Sequence, residues 1–286
     1  MIGANGQLGS DLCISLKGHD TAKLTDKDID ITDIDSVFGA CRRYTPEVII
    51  NTAAYVRVDD CEDNIDLSYK VNALGARNVA VAAQELGSAL VQLSTDYIFG
   101  ADKDRVRPYT EFDDPGPLSV YGYSKLAGER YVQHLCSRHF IVRTSGLFGV
   151  AGSMGKGGNF VETMIKLAHQ KDELRVVDDQ VFSPTYARDL ADTIVKLIDT
   201  KYFGIFHVTN SGICSWYEFT KEIIAQMGLG TRVTPISTRE YPQKAERPRY
   251  SVLDNYQLRL LGMGDIRDWK LALKDYMNNR HLTAKS

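Results

Sequence analysis

The chain has 286 residues, 43% hydrophobic and 25% charged, with a formal net charge of −3, which is enough apolar chain for one large or two interlocked domains. It carries no basic footprint for nucleic acid and no apolar run near the roughly 20 residues of a membrane-spanning helix. Five dispersed cysteines without a C-x-x-C pair, six dispersed histidines without H-E-x-x-H, and no charged leader exclude a disulfide framework or zinc site and lead to the expectation of a cytoplasmic protein with free thiols.

Gly3-Ala4-Asn5-Gly6-Gln7-Leu8-Gly9 spaces its glycines as G-x-x-G-x-x-G, a variant of the dinucleotide fingerprint. Such glycines let the backbone turn sharply and approach a pyrophosphate, and the helix that follows, expected over Gln7–Lys17, offers free N–H groups and its positive dipole end. Only Met1 and Ile2 precede Gly3, whereas a strand normally needs about 5–6 residues. The first, central strand is therefore expected to be truncated, and an apolar upstream extension is expected to raise stability and cofactor affinity. An extended piece follows at Asp20–Leu24. Thr25 then falls where an acidic residue normally holds the adenosine ribose of NAD, with Asp26 beside it and Lys23 and Lys27 flanking. A carboxylate repels a 2′-phosphate and a lysine welcomes one, so NADPH, NADH or both fit. Asp30 and Ile31, at the next turn, are placed over the adenine.

Ile34–Tyr44 reads as a helix. Glu47–Asn51 is a short β-branched run, as a strand buried on both faces requires. A helix over Leu67–Leu86, a buried strand at Ala89–Leu93, a rigid Pro115-Gly116-Pro117 turn into a helix bearing Tyr121, and a strand at Phe140–Val142 complete the first half. This alternation implies right-handed crossovers and a Rossmann-type doubly wound parallel α/β sheet, assigned to residues 1–145. Residues 146–286 read as a smaller α+β substrate lobe, with interleaving between the two left open. Its helices are expected at Phe160–His169, Ala187–Ile198, Trp216–Met227 and Asp268–Met277, and its strands at Leu174–Val177 and Ile205–Val208. Glycines at 152, 155, 157 and 158 leave open a lid or an ordinary surface loop.

Tyr121 and Lys125 are four residues apart and so share one helix face. They follow Ser94-Thr95-Asp96. A phenol aimed at a carbonyl can protonate its oxygen as hydride reaches the carbon, and a nearby ammonium is expected to lower the phenol's pKa. The spacing alone discriminates poorly, because Tyr217 and Lys221 repeat it.

The glycine loop, Asn51-Thr52-Ala53-Ala54-Tyr55 with Val58-Asp59, Ser94-Thr95-Asp96-Tyr97-Ile98-Phe99, Tyr121 through Gly128-Glu129, Arg143-Thr144-Ser145, Asp178-Asp179-Gln180 with Ser183-Pro184-Thr185, and Arg247-Pro248 with Ser251 and Leu253 occur in this order. In this the chain resembles the dTDP-4-dehydrorhamnose reductase family of the extended short-chain dehydrogenase/reductases over nearly its whole length. The resemblance implies that Gly6, Gln7 and Leu8 cradle the pyrophosphate, that Thr52, Ala53 and Ala54 line the cofactor, and that Thr95 and Asp96 contact the sugar. It implies Tyr121 as the acid, with Lys125 as its partner and a holder of the nicotinamide ribose. The implied reaction converts dTDP-4-dehydro-β-L-rhamnose and NAD(P)H to dTDP-L-rhamnose. Many members carry a tryptophan that packs on the sugar where this chain has Gly146, and Leu147, Phe148 or the Val150–Gly158 loop is expected to fill that space. Members often dimerise, some around a magnesium ion held by carboxylates, and no residue here is assigned to such an ion. The alternatives are a non-catalytic relative resembling the β subunit of methionine adenosyltransferase, and a sugar-nucleotide epimerase or dehydratase.

Overall fold

The computed structural model describes residues 1–152 and 158–280. Its main sheet is wholly parallel. The strands are β1 (Val48–Asn51), β2 (Ala89–Thr95), β3 (His139–Thr144) and a strand from the second half, Gly204–His207, in the order β1, β2, β3, Gly204–His207. Beyond β1 the sheet continues through single-residue bridges, Ile2 to Asn51 on one side and Ile2 to Leu24 on the other. Ile2 N–H donates to the Ile50 carbonyl at 2.8 Å, Gly3 N–H to the Leu24 carbonyl at 2.9 Å and Leu24 N–H to the Met1 carbonyl at 2.9 Å. Met1 and Ile2 thus hold the central position of the expected first strand. The order in which successive strands are added reverses there, between Leu24 and β1, so the crevice above Gly3 and Asn51 is the topological switch point where such sheets bind ligands.

The strands are apolar on both faces because helices cover both. On one face α1 (Gln7–Ser15) meets Val91, Leu93, Phe140 and Val142. On the other, Val37 and Cys41 of α2 (Ile34–Tyr44) belong to one buried cluster with Ile49, Leu90 and Ile141. A short α3 (Val58–Asp63), not anticipated from the sequence, precedes the long alanine-rich segment. That segment is not one helix. It runs as α4 (Ile65–Tyr69), a π-turn at Lys70–Gly75 and α5 (Ala76–Leu86). The wider turn carries Asn72, whose amide donates to the Ser124 hydroxyl and the Tyr55 carbonyl, both at 3.0 Å, while its oxygen accepts from Tyr55 N–H at 2.8 Å. α6 (Val120–Leu135) begins at Ser119, whose hydroxyl accepts from Gly122 N–H as an N-cap.

The second half begins with β4 (Leu147–Phe148), α7 (Phe160–Ala168), β5 (Glu173–Val177), β6 (Val181–Phe182) and β7 (Thr185–Tyr186). α8 (Ala187–Ile198) and the Gly204–His207 strand, β8, then return to the main sheet. Leu190, Ile194 and Leu197 join the α1 face, and β8 pairs with β3. The core therefore crosses the boundary drawn at residue 145, and the two regions share residues rather than dividing there. β9 (Cys214–Ser215), α9 (Trp216–Gln226), β10 (Arg232–Ile236), α10 (Tyr256–Leu260) and α11 (Trp269–Asn279) complete the chain. β6 pairs antiparallel with β9, and β5 parallel with β10. A capping box between Ser215 and Glu218 fixes the start of α9. Among the described residues no helix is long and apolar enough to cross a membrane.

Candidate active site

A cleft of about 1240 Å³ opens over the carboxyl ends of the parallel strands, larger than the roughly 300–1,000 Å³ usual for one small ligand. It has two ends. At one lie Gly3, Gly6, Gln7, Leu8, Thr25, Asp30 and Ile31, with Thr52, Ala53 and Ala54 beyond Asn51. Toward the other lie Thr95, Asp96, Tyr121, Lys125 and Gly146. Of the residues assigned to catalysis, cofactor or sugar in the sequence, Gly9 alone does not line it. A Cβ there would overlap the Gly3 carbonyl oxygen, so Gly9 lets α1 press against the glycine loop.

The glycine end fits a dinucleotide. No side chain caps α1, which leaves its first N–H groups and positive dipole end for a phosphate. Asn51 holds the neighbouring loop, its amide donating to Gln92 at 2.9 Å and its oxygen accepting from Ala53 N–H at 3.1 Å. Three buried side-chain oxygens on the cleft wall, Gln7 Oε1, Ser94 Oγ and Thr144 Oγ1, have no partner among the described residues. Orphaned buried oxygens on a cleft wall are what a polar ligand would satisfy. The Thr25 hydroxyl and N–H both donate to Asp28 at 2.8 Å, and Asp30 accepts from Thr32 N–H.

At the far end the Tyr121 phenol is hydrogen-bonded to Thr95, and its ring meets Tyr97 edge-on. Burial pushes the phenol above its ordinary pKa, with the Thr95 bond pulling the other way. The lowered phenol pKa anticipated from the Tyr–Lys spacing is thus not found. The Lys125 ammonium instead donates to the Leu93 carbonyl at 2.6 Å, and desolvation wins at Tyr121. A raised phenol is protonated at neutral pH, the state a proton donor needs.

Lys125 is itself pulled down to about 8 by burial, with Glu129 one turn later opposing the change. The sign follows: below about 8 the amine is ammonium, and as pH rises through that value the charge is lost. kcat/KM for carbonyl reduction is expected to hold from pH 6.5 to near 8 and then to fall about tenfold per pH unit. A profile flat to pH 10 would show that the charge on Lys125 is not used.

Asp96, expected to contact the sugar, sits behind Thr95. It is 4% exposed and accepts hydroxyl hydrogen bonds from Thr95 at 3.1 Å, Ser145 at 2.7 Å and Ser251 at 2.6 Å. Burial pushes its carboxyl up, against the pull of these donors. Ser251 comes from the second half, so Asp96 ties that lobe to Thr95. A second tie crosses the cleft mouth. Arg247 donates to both oxygens of Asp59 at 2.9 Å, and Lys244 pairs with Asp63. Behind Lys125, Glu129 and Arg143 form a buried ion pair at 2.7 Å, and Arg143 also reaches His207 Nε2 at 3.3 Å.

Gly146 has φ +52°, and a Cβ there would overlap the Phe182 ring. Phe182 occupies this space, rather than the Leu147, Phe148 or 150–158 segment expected to fill it; of that segment, residues 153–157 lie outside the described residues. Tyr217 and Lys221 are not part of the cleft; the Lys221 ammonium lies 5.3 Å from the Tyr217 ring centre on α9. Among the described residues no three His, Cys, Asp or Glu side chains gather to hold a metal. Asn72 was missed in the sequence, where only its place in an alanine-rich helix was visible. Phe182 and Trp216 were missed as cleft residues.

The profile of the family described as RmlD substrate binding domain matches residues 1–282. The spore coat polysaccharide biosynthesis protein SpsK of Bacillus subtilis (strain 168) is 42% identical over 280 residues, 97% of this chain and 96% of its own. The crystal structure of a dTDP-4-dehydrorhamnose reductase from Clostridium acetobutylicum ATCC 824 superposes with a TM-score of 0.91 at 46% identity, covering 97% of each chain. That of dTDP-4-dehydrorhamnose reductase from Bacillus anthracis str. Ames in complex with NADP gives 0.92 at 44% identity, again over 97% of each.

Proposed function

The chain belongs to the RmlD substrate-binding-domain family, and on that premise we propose that it reduces dTDP-4-dehydro-β-L-rhamnose to dTDP-L-rhamnose with NADPH or NADH. The observation that carries this is the meeting of Tyr121, Thr95 and Lys125 in the same cleft as the glycine loop, at the switch point of the sheet. When bound, the reduced nicotinamide supplies hydride to the carbonyl carbon. The glycine loop and the first turn of α1 would hold its pyrophosphate, with the Thr52–Ala54 backbone lining the cofactor beside Gly3, and Lys125 would hold the nicotinamide ribose. Tyr121 gives its proton to the carbonyl oxygen as charge develops there. Thr95, bonded to both Tyr121 and Asp96, fixes the phenol, and turning its one hydroxyl proton from Asp96 to the substrate would give that oxygen a second hydrogen bond. The presence of all three groups weighs against a purely regulatory binding module. We take the cytoplasm as its setting, where five free thiols persist.

The test is a turnover assay with the keto-sugar nucleotide and each reduced cofactor. Loss of reduced nicotinamide, equal to the dTDP-rhamnose formed, is expected. Conversion of sugar nucleotide without net cofactor loss identifies an epimerase or dehydratase. Cofactor binding without turnover overturns the enzymatic reading.

A further inference from the structure

We propose that Phe182 and Trp216 form the apolar wall on which the hexose of the sugar nucleotide packs, and that Gly146 is the residue that makes room for them. This rests on the reductase reading and concerns the substrate half of the same cleft. Ser145 donates to Asp96, which also accepts from Thr95, so position 146 is next to the group that fixes the reacting carbonyl. No side chain fits at 146, because the Phe182 ring already fills the volume a Cβ would enter.

The pairing of β6 with β9 sets Phe182 opposite Cys214, and this delivers Trp216, at the start of α9, onto Phe182. The two rings stack with centroids 4.0 Å apart and planes 28° apart, and Phe160 lies 4.5 Å from the indole on α7. All three rings line the cleft. Phe182 is buried, whereas Trp216 is only partly so, which leaves part of the indole for a ligand. Packed against two phenyl rings, the indole loses little freedom on binding, the condition under which an aromatic surface adds most to affinity.

The same cleft carries the Thr95, Tyr121 and Ser251 hydroxyls, and Ser251 N–H donates to the carbonyl of Val181, next to Phe182, at 2.9 Å. A 6-deoxyhexose has matching sides, oxygens for the hydroxyls and a C–H and methyl face for the rings. A pocket that combines an aromatic surface with a few placed polar groups is the usual way to fix such a ligand. The glycine loop, at the other end, takes the cofactor, so the rings are left to the sugar.

The chain has two tryptophans, and the other, Trp269, is 3% exposed. Titration of the full chain with dTDP-L-rhamnose, without nicotinamide, should therefore change the emission of Trp216 saturably. The change should be absent in Trp216→Phe, and dTDP alone should bind without producing it. Trp216→Ala should raise KM for the keto-sugar nucleotide about tenfold or more and leave KM for NADPH within twofold, while Trp216→Phe, which keeps an aromatic face, stays within about threefold of the parent. An unchanged substrate KM in Trp216→Ala overturns the proposal, and so does an equal emission change with dTDP alone, which would assign the wall to the base. If the parent protein shows no turnover, the reductase reading fails, while the emission titration still decides for or against the wall.

Discussion

Replacing Tyr121 with phenylalanine is expected to lower turnover about 10²–10⁴-fold, the usual contribution of a positioned proton donor, while the cofactor dissociation constant stays within about twofold. The substitution removes one oxygen and keeps the ring, so the edge-on contact with Tyr97 survives. The Gln7, Leu8 and Lys125 side of the cleft is untouched. What disappears is the proton, held on the phenol at neutral pH by burial. The Thr95 hydroxyl remains beside the carbonyl, which is why activity falls steeply rather than to zero. Tyr217→Phe is the internal control. It has the same spacing to a lysine but its ring faces Lys221 on α9, and it should be nearly silent. Full activity in Tyr121→Phe would remove phenol catalysis from the mechanism.

Much of this site was legible in the sequence because its parts are local. The glycine loop, the β-branched run at 47–51 and the strand at 89–93 each carry their own pattern, and alternation fixes the parallel sheet. What failed was non-local or without periodicity. A π-turn such as Lys70–Gly75 leaves no mark in a sequence whose alanines suit any helix. The return of α8 and β8 to the main sheet depends on which surface is still open after the first half folds. The pKa of Tyr121 was misjudged in direction because the i, i+4 rule places Lys125 near the phenol without saying where its ammonium points, and Leu93 takes it. The Phe182–Trp216 stack joins residues brought together by the β6–β9 pairing, and a single sequence holds no signal for it. Met1 and Ile2 suffice to join the sheet because hydrogen bonds meet them from both sides.

The Arg143–Glu129 pair gives the second large effect. Both side chains are at most 3% exposed, and they meet at 2.7 Å. Arg143→Met alone leaves a carboxylate buried without its cation, and breaking such a pair on one side costs about 3–5 kcal/mol. For a chain of this length that corresponds to a melting temperature lower by roughly 5–10 °C. Replacing both, Arg143→Met with Glu129→Met, removes the desolvated charges together and should recover most of the loss, since an apolar pair of similar volume is often as stable as the ion pair. Activity should not recover with it. Glu129 is the charge that opposes the burial-driven fall of Lys125 from its ordinary pKa. Without it Lys125 drops further below about 8, so the alkaline limb of the rate profile should move to lower pH in the double variant. Denaturant melts and pH–rate curves of the two variants separate the roles. A double variant as unstable as the sum of its singles would show that the residues contribute through packing alone, and an unmoved alkaline limb would show that Lys125 does not sense Glu129.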